Sequence, residues 1–413
     1  INTIIIIQKS NEVKRTYKIL LMSTVFSLYT VEIYLNFSKK SFTAIDDLNF
    51  RKEQADKLGL PFDTRTKYEV YLNLKNKGEN VVPTIPPNDV FHKTKFFLDQ
   101  ISSPIYPLSS ISNTKTVFCN ESGKRTIYYS DKHGFRNKNE IWDQKEVDIV
   151  ILGDSLVHGA CVDDEYVTSN QLSTLTGKKV LNLGFQGHGP LMQIGALKEY
   201  AASKRPKIVL WYYFEANDFS NMIYEMSVDK INRYKNKDYS QELIKNQKIV
   251  DEQLYKLLKL VTPNQAGDVK KNPGTINYIG LIKLYKIRDF LTHFLPENKA
   301  LSSYRYAPVD TLNEYFKLIK IAKETTQEWG GEFYLVYHPH PERYIGTYSL
   351  QYAQRQYGYF IKKLNEMKIN TIDLKKLFDN AGGPKKLYHF GIPGHPSENG
   401  YKLTAEHFAK ILF

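Results

Sequence analysis

The sequence predicts an α/β fold, with three α/β/α layers around about five parallel strands. Short apolar runs rich in β-branched and aromatic residues recur at Val147–Leu152, Lys179–Leu183, Ile208–Phe214, Phe333–Tyr337 and Asn370–Leu374. Their length and composition suit strands buried on both faces. Stretches that suit helices stand around 164–176, 190–204, 308–329, 350–367 and 398–412. Strand alternating with helix at this spacing is the pattern of a parallel sheet covered on both sides.

The 413 residues exceed the usual size of one domain, and 42% hydrophobic with 24% charged residues excludes a disordered chain. The formal net charge of +13 comes mostly from Lys spread along the whole length, with only short clusters such as Lys270-Lys271 and Lys385-Lys386. A nucleic-acid protein concentrates such charge in one stretch or a recognised motif, so no nucleic-acid partner is expected. The charge describes a solvated surface that can still attract an anionic membrane or polysaccharide. Tyr is abundant, at 30 residues, and most of these rings are expected to pack rather than to line a ligand site. The two cysteines, Cys119 and Cys161, are too few for a disulfide scaffold and lack zinc-site spacing. Whether they pair is left open.

Residues 1–37 are read as a hydrophobic anchor. Ile19 to Phe37 is a run of apolar character behind Lys9, Lys14, Arg15 and Lys18, and its helix would rise about 28 Å, roughly one hydrocarbon thickness. Glu32 interrupts it. A secretory signal with a short core, or a buried helix, are the rival readings. Residues 38–145 show no strong periodicity and are punctuated by Pro83, Pro86, Pro87, Pro104 and Pro107, which suggests a stalk or loop-rich accessory segment. The regular pattern fills 146–413. Within it, 219–306 is longer than one crossover requires and reads as a helical insertion or cap.

In an open parallel sheet, ligands bind beyond the carboxyl ends of the strands. After the first strand comes Gly153-Asp154-Ser155-Leu156, and after the second comes Asn182-Leu183-Gly184-Phe185-Gln186-Gly187. Glu215-Ala216-Asn217-Asp218 follows the third, His338-Pro339-His340 the fourth, and His395-Pro396-Ser397-Glu398-Asn399-Gly400 stands near the C-terminus. Acyl transfer through a serine needs a hydroxyl at a tight turn, a base, and donors aimed at the developing oxyanion. Ser155 fits the first role and His395 the second. The Ser155 N–H, the Gly187 N–H and the Asn217 amide fit the third. Taken singly, Ser155 would be a helix cap, Gly187 a turn and Asn217 a strand-end cap. Neither the GxSxG elbow nor a phosphate-binding GxxxxGK[ST] loop is present.

These four blocks, in this order and at these predicted strand ends, resemble the GDSL/SGNH hydrolase family. The resemblance covers about 147–218 and 331–413. It implies a flavodoxin-like sheet, no cofactor and no metal, Ser155 and His395 as catalytic pair, and Ser155, Gly187 and Asn217 as oxyanion donors. The family places an Asp three residues before the His, and here that position is Ile392. The third triad member therefore stays open between a backbone carbonyl of the Gly391–Gly394 turn, Asp131, Asp373 and none at all. Asp154 and His338 are further accessory candidates.

The activity expected from the resemblance is a serine esterase removing short acyl groups, acetyl above all, from a glycan outside the cytoplasm. The alternatives are a polysaccharide O-acetyltransferase using the same residues, and an inactive glycan-binding module that keeps the fold.

Overall fold

The computed structural model describes residues 2–38, 44–86, 105–265, 284, 287, 309–345 and 350–413. The chain divides into two units, one of residues 1–43 with 270–308, the other of 44–269 with 309–413. In the first, helix α1 (Asn2–Ser38) contains the stretch read as an anchor. That expectation is not supported, because no helix among the described residues is long and apolar enough to cross a membrane. The run is diluted by Ser23, Thr24 and Thr30, whose hydroxyls turn back onto the carbonyls of Leu20 and Phe26, and by Glu32. Glu32 is buried and accepts a hydrogen bond from the Ile287 N–H at 2.7 Å.

The second unit begins with the segment expected to be a stalk or a loop-rich layer. It holds helices α2 (Ala44–Lys57) and α3 (Lys67–Asn76), then strands β1 (Val81–Pro83), β2 (Lys115–Val117) and β3 (Ile127–Tyr129). Thr66 starts α3 with a capping box, its hydroxyl accepting from Glu69 N while the Glu69 carboxylate accepts from Thr66 N. The strands form a small mixed sheet, β1 parallel to β2 and β2 antiparallel to β3. At three residues each, they are too short to show a period of two.

The larger sheet follows the expected elements closely. Its strands are β4 (Ile149–Leu152), β5 (Val180–Asn182), β6 (Ile208–Phe214), β7 (Glu332–His338) and β8 (Asn370–Asp373). All pair in parallel in the order β5-β4-β6-β7-β8. The second strand thus lies outside the first, which is the flavodoxin-like order, and the chain reverses its direction of winding at β4. The helices of this region include α4 (Ser155–His158), α5 (Thr168–Thr176), α6 (Pro190–Ala196), α7 (Asp218–Met226) and α8 (Gln247–Gln265), then α9 (Val309–Gln327), α10 (Leu350–Glu366), α11 (Leu374–Asp379) and α12 (Glu398–Leu412). Beyond α6 the helix widens over Leu197–Ala201, where the buried Glu199 carboxylate accepts from Tyr234, Ser240 and the Leu243 N–H. The described part of the expected insertion holds α7 and α8, with a short helix at Asp229–Asn232 between them. Most of 266–308 lies outside the described residues.

Alternation along β6 explains the layering. Tyr212 points toward α12, meeting Phe408 edge-on at 6.1 Å, while its neighbour Tyr213 stacks on Phe360 of α10 at 4.2 Å and meets Tyr315 of α9 at 5.3 Å. All of these rings are buried, so much of the abundant Tyr and Phe builds the core. Ile149, Ile151, Leu210, Val336 and Ile372 continue the α12 face with Leu172 of α5. Truncating one such side chain, as in Leu210→Ala, would cost about 2–5 kcal/mol.

Candidate active site

At the carboxyl end of β4 the chain must turn sharply into α4. Asp154 caps that helix, its Oδ1 accepting from the Leu156 N–H at 3.0 Å, and Ser155 is the first helical residue. The cap and the packed strand end leave the Ser155 hydroxyl at the edge of the sheet, largely buried but lining a cavity of 480 Å³. The cavity is also lined by Gln186, Gly187, Phe214, Asn217, Pro341, Gly394 and His395, and by Lys67 and Pro86 from the accessory segment.

His395 lies just before α12, and its Nε2 is 2.8 Å from the Ser155 Oγ. Its Nδ1 is 2.8 Å from the Glu121 Oε1, and its backbone N–H donates to the Glu121 Oε2 at 2.7 Å. A carboxylate beside Nδ1 places the proton there and leaves Nε2 as acceptor for the serine hydroxyl. The electrostatics agree. Burial pushes the Glu121 carboxyl up, but His395 and Arg51 outweigh it and hold it at about 2. Burial pulls the His395 imidazole down, while the Glu121 charge and hydrogen bond carry it above its ordinary value.

Glu121 is a correction to the sequence reading. The Nδ1 partner is neither a backbone carbonyl of the Gly391–Gly394 turn nor Asp131 nor Asp373. Asp131 is buried in a structural role, accepting from the Asn137 Nδ2, the Trp142 Nε1 and the backbone N–H groups of His133 and Phe135. Asp373 caps α11 and accepts from Tyr357. Glu121 comes instead from the β2–β3 turn, more than 30 residues before the serine. That turn is held where it is by a disulfide joining Cys119 to Cys161, with 5.2 Å between their Cα atoms. Asn120 braces it further, its side chain donating to Asp63 O and accepting from Gly123 N.

The oxyanion candidates face the same cavity. Gly187 has φ +84°, a conformation that suits glycine and turns the backbone of the loop after β5 toward the serine. The loop is pinned by Gln186 N–H donating to His158 Nδ1 and, beyond it, by Glu225, whose carboxylate accepts from Gly189 and Leu191. The Asn217 Nδ2 donates to the Asp154 Oδ2 at 3.0 Å. Asp154 therefore orients this amide and leaves its second N–H for a ligand. Burial pushes the Asp154 carboxyl up, against the pull of the Leu156 and Asn217 donors.

Glu215 directly follows β6. It pairs with Arg343 in a buried ion pair and accepts from His340 N, tying the ends of β6 and β7 together. His338 is buried, with Nδ1 against Pro339 O, and burial pulls its imidazole down to about 3. Neither His338 nor His340 lines the cavity. Among the described residues, one group of potential metal-binding side chains stands together, Glu121, Cys161 and His395. The Cys161 sulfur is bonded to Cys119 and the imidazole is engaged on both nitrogens, so the group reads as the relay itself.

No family model matches the chain, and no curated protein matches it. Solved structures do. One is a protein assigned to the G-D-S-L lipolytic family from Desulfitobacterium hafniense DCB-2, 14% identical, covering 64% of this chain and 99% of its own, with a TM-score of 0.35. Another is a catalytic mutant of an acetylxylan esterase from Geobacillus stearothermophilus, 13% identical, covering 65% and 94%, with a TM-score of 0.34. At these scores the likeness adds no weight to the geometry. The chain's neighbours among solved structures are GDSL-family lipolytic proteins and acylhydrolases.

Proposed function

We propose that this chain is a serine acyl hydrolase acting on short acyl esters, with acetyl on an extracytoplasmic glycan as the substrate class. The observation that carries the reading is the unbroken relay from Ser155 Oγ to His395 Nε2 and from His395 Nδ1 to Glu121, with 2.8 Å at each step. His395 takes the Ser155 proton as the Oγ attacks the ester carbonyl. The oxyanion accepts from the Ser155 and Gly187 N–H groups and from the Asn217 amide. Collapse expels the alcohol, which takes the proton back from His395, and leaves an acyl-serine. His395 then deprotonates water, which attacks the acyl carbonyl; the bond to Oγ breaks, Ser155 takes the proton back from His395, and the acid leaves. The Cys119–Cys161 disulfide supports an oxidising compartment.

The test has two parts. A serine-reactive phosphonate should label Ser155 in the folded protein, and labelling elsewhere or not at all removes the serine mechanism and favours an inactive binding module. Incubation with acetylated oligosaccharide, with and without a hydroxyl acceptor, should release acetate in both cases. Loss of acetyl from the donor only when the acceptor is present, with the acetyl recovered as an ester on the acceptor and no free acetate, would make the chain an O-acetyltransferase.

A further inference from the structure

The catalytic carboxylate lies on a turn of the accessory segment, remote in sequence from the histidine it serves, so something must hold the two together. We propose that Arg51 is a positioning residue for the relay, clamping Glu121 and the His395 loop into one geometry, which rests on the reading of Ser155 and His395 as nucleophile and base. Arg51 lies on α2 and is only 4% exposed. Its Nε donates to the Asp47 Oδ2 at 2.9 Å, its Nη2 donates to Pro393 O at 3.0 Å, and its Nη1 stands 3.6 Å from the Glu121 Oε2. The first two contacts fix the guanidinium without help from Glu121. The third therefore places the carboxylate relative to a cation that is already set. The Nη1 is buried without a hydrogen-bond partner, and the guanidinium charge is shared between Asp47 and Glu121.

Gly394 completes the clamp. A Cβ at this position would stand 2.3 Å from the Glu121 Oε2 and 2.9 Å from the Arg51 Nη2. The residue between the Pro393 carbonyl and the His395 N–H must be glycine for the three groups to meet.

The charged and titratable groups acting on His395 are Glu121, Arg51 and Asp154, with His158, His338 and His389 nearby. Burial pulls these three histidines down, so they contribute little positive charge. Removing Arg51 has two opposed effects on the imidazole. Loss of a neighbouring cation raises its affinity for protons, and loss of a well-placed Glu121 lowers it. Glu121 dominates the upward shift of His395 and Arg51 is the weakest contributor, so the second effect should win.

Following the His395 imidazole by NMR across pH tests this without needing turnover. In Arg51→Met its midpoint should fall toward the ordinary histidine value. Arg51→Lys, which keeps the charge but not the fork, should fall between. Gly394→Ala should copy the Met variant with Arg51 intact. In turnover of a p-nitrophenyl acyl ester, kcat of Arg51→Met should drop about 10- to 100-fold with KM within twofold, less than the loss of a triad carboxylate itself. An unmoved or raised His395 midpoint in folded Arg51→Met and Gly394→Ala overturns the clamp. So does a kcat loss whose acid limb stays in place. If the wild type neither turns over ester nor labels at Ser155 while the midpoint still falls, the hydrolase reading fails and the clamp stands.

Discussion

The five-stranded sheet and the accessory segment at 44–143 contribute to one site in different ways. Ser155, Gly187 and Asn217 each follow a strand of the parallel sheet, so their convergence is a property of the topology: parallel strands bring their carboxyl ends to one edge. Glu121 and Arg51 have no such guarantee. They sit on a turn between three-residue strands and on a helix, and Glu121 meets His395 where a disulfide, the buried Arg51 guanidinium and Gly394 surround the turn. Topology places the candidate nucleophile and oxyanion donors, and local bracing places the candidate acid.

Damage to the serine, or to the histidine it meets, should be the most severe. Ser155→Ala and His395→Ala should each remove about 10⁶ of kcat, and the double variant should be no worse than either, because the pair acts as a unit. Additive losses in ester turnover would separate the two residues. Glu121→Gln comes next, at about 10³–10⁴ in kcat, since an amide no longer steadies the imidazolium or fixes its tautomer. The pH profile sharpens this. His395 must be neutral to act as base, and its midpoint lies above the ordinary 6.5, so wild-type kcat/KM should fall as pH drops through that raised value. In Glu121→Gln the acid limb should move to lower pH. An unmoved limb would detach Glu121 from the base.

The same carboxylate makes a stability prediction. Its folded value of about 2 lies below the ordinary 4.5, so its contribution is present above 4.5 and is lost as pH falls from there toward 2. The contribution is on the order of 3 kcal/mol at neutral pH. Acid unfolding followed by circular dichroism should show this slope in the wild type and a flatter one in Glu121→Gln.

The contrast also explains which parts of the molecule are legible in the sequence. Strands buried on both faces leave continuous apolar runs, and β6 stands where Ile208–Phe214 predicts it. The residues that follow those runs can then be named from the sequence alone. The small sheet leaves only a strand-like run that starts at Tyr128 and breaks at Gly134, because its strands are three residues long and prolines interrupt the segment around them. Glu121 escapes a reading that looks for the acid close to His395 and among Asp residues. One sequence signal does point to it. Cys161 lies six residues beyond Ser155, and pairing it with Cys119 brings the two Cα atoms within about 7 Å. Glu121, two residues from Cys119, then comes within reach of the serine. The apolar stretch at Ile19–Phe37 matches a bilayer in length, while its hydroxyl and carboxyl groups dilute its apolar character.

Asn217 tests the sheet side at smaller scale. Asn217→Ala should lower kcat about 10²–10³-fold and change KM little, because its donor matters most when charge develops on the oxygen. Asp154→Asn should follow in part, since it puts an amide where the Asn217 Nδ2 now finds a carboxylate. A loss confined to KM would make Asn217 a ground-state contact.

The smallest expected effects fall on the two aspartates that the sequence offers as rivals to Glu121. Asp131 accepts four donors within a buried turn, so Asp131→Asn leaves an N–H facing another donor and should cost about 1–3 kcal/mol of stability. Its kcat should fall less than tenfold, since none of its donors belongs to His395. Asp373→Asn should do less still. Asp373 accepts from the Lys375 and Lys376 N–H groups at the start of α11, and asparagine is an equally good cap. What remains is the lost charge at the helix N-terminus and a weaker bond from Tyr357, together under about 1 kcal/mol. Thermal melting should register that small shift while kcat stays within twofold of the wild type. A fall of three orders of magnitude in kcat at either position, in protein that still melts cooperatively, would move the acid of the relay away from the accessory turn and back onto that aspartate.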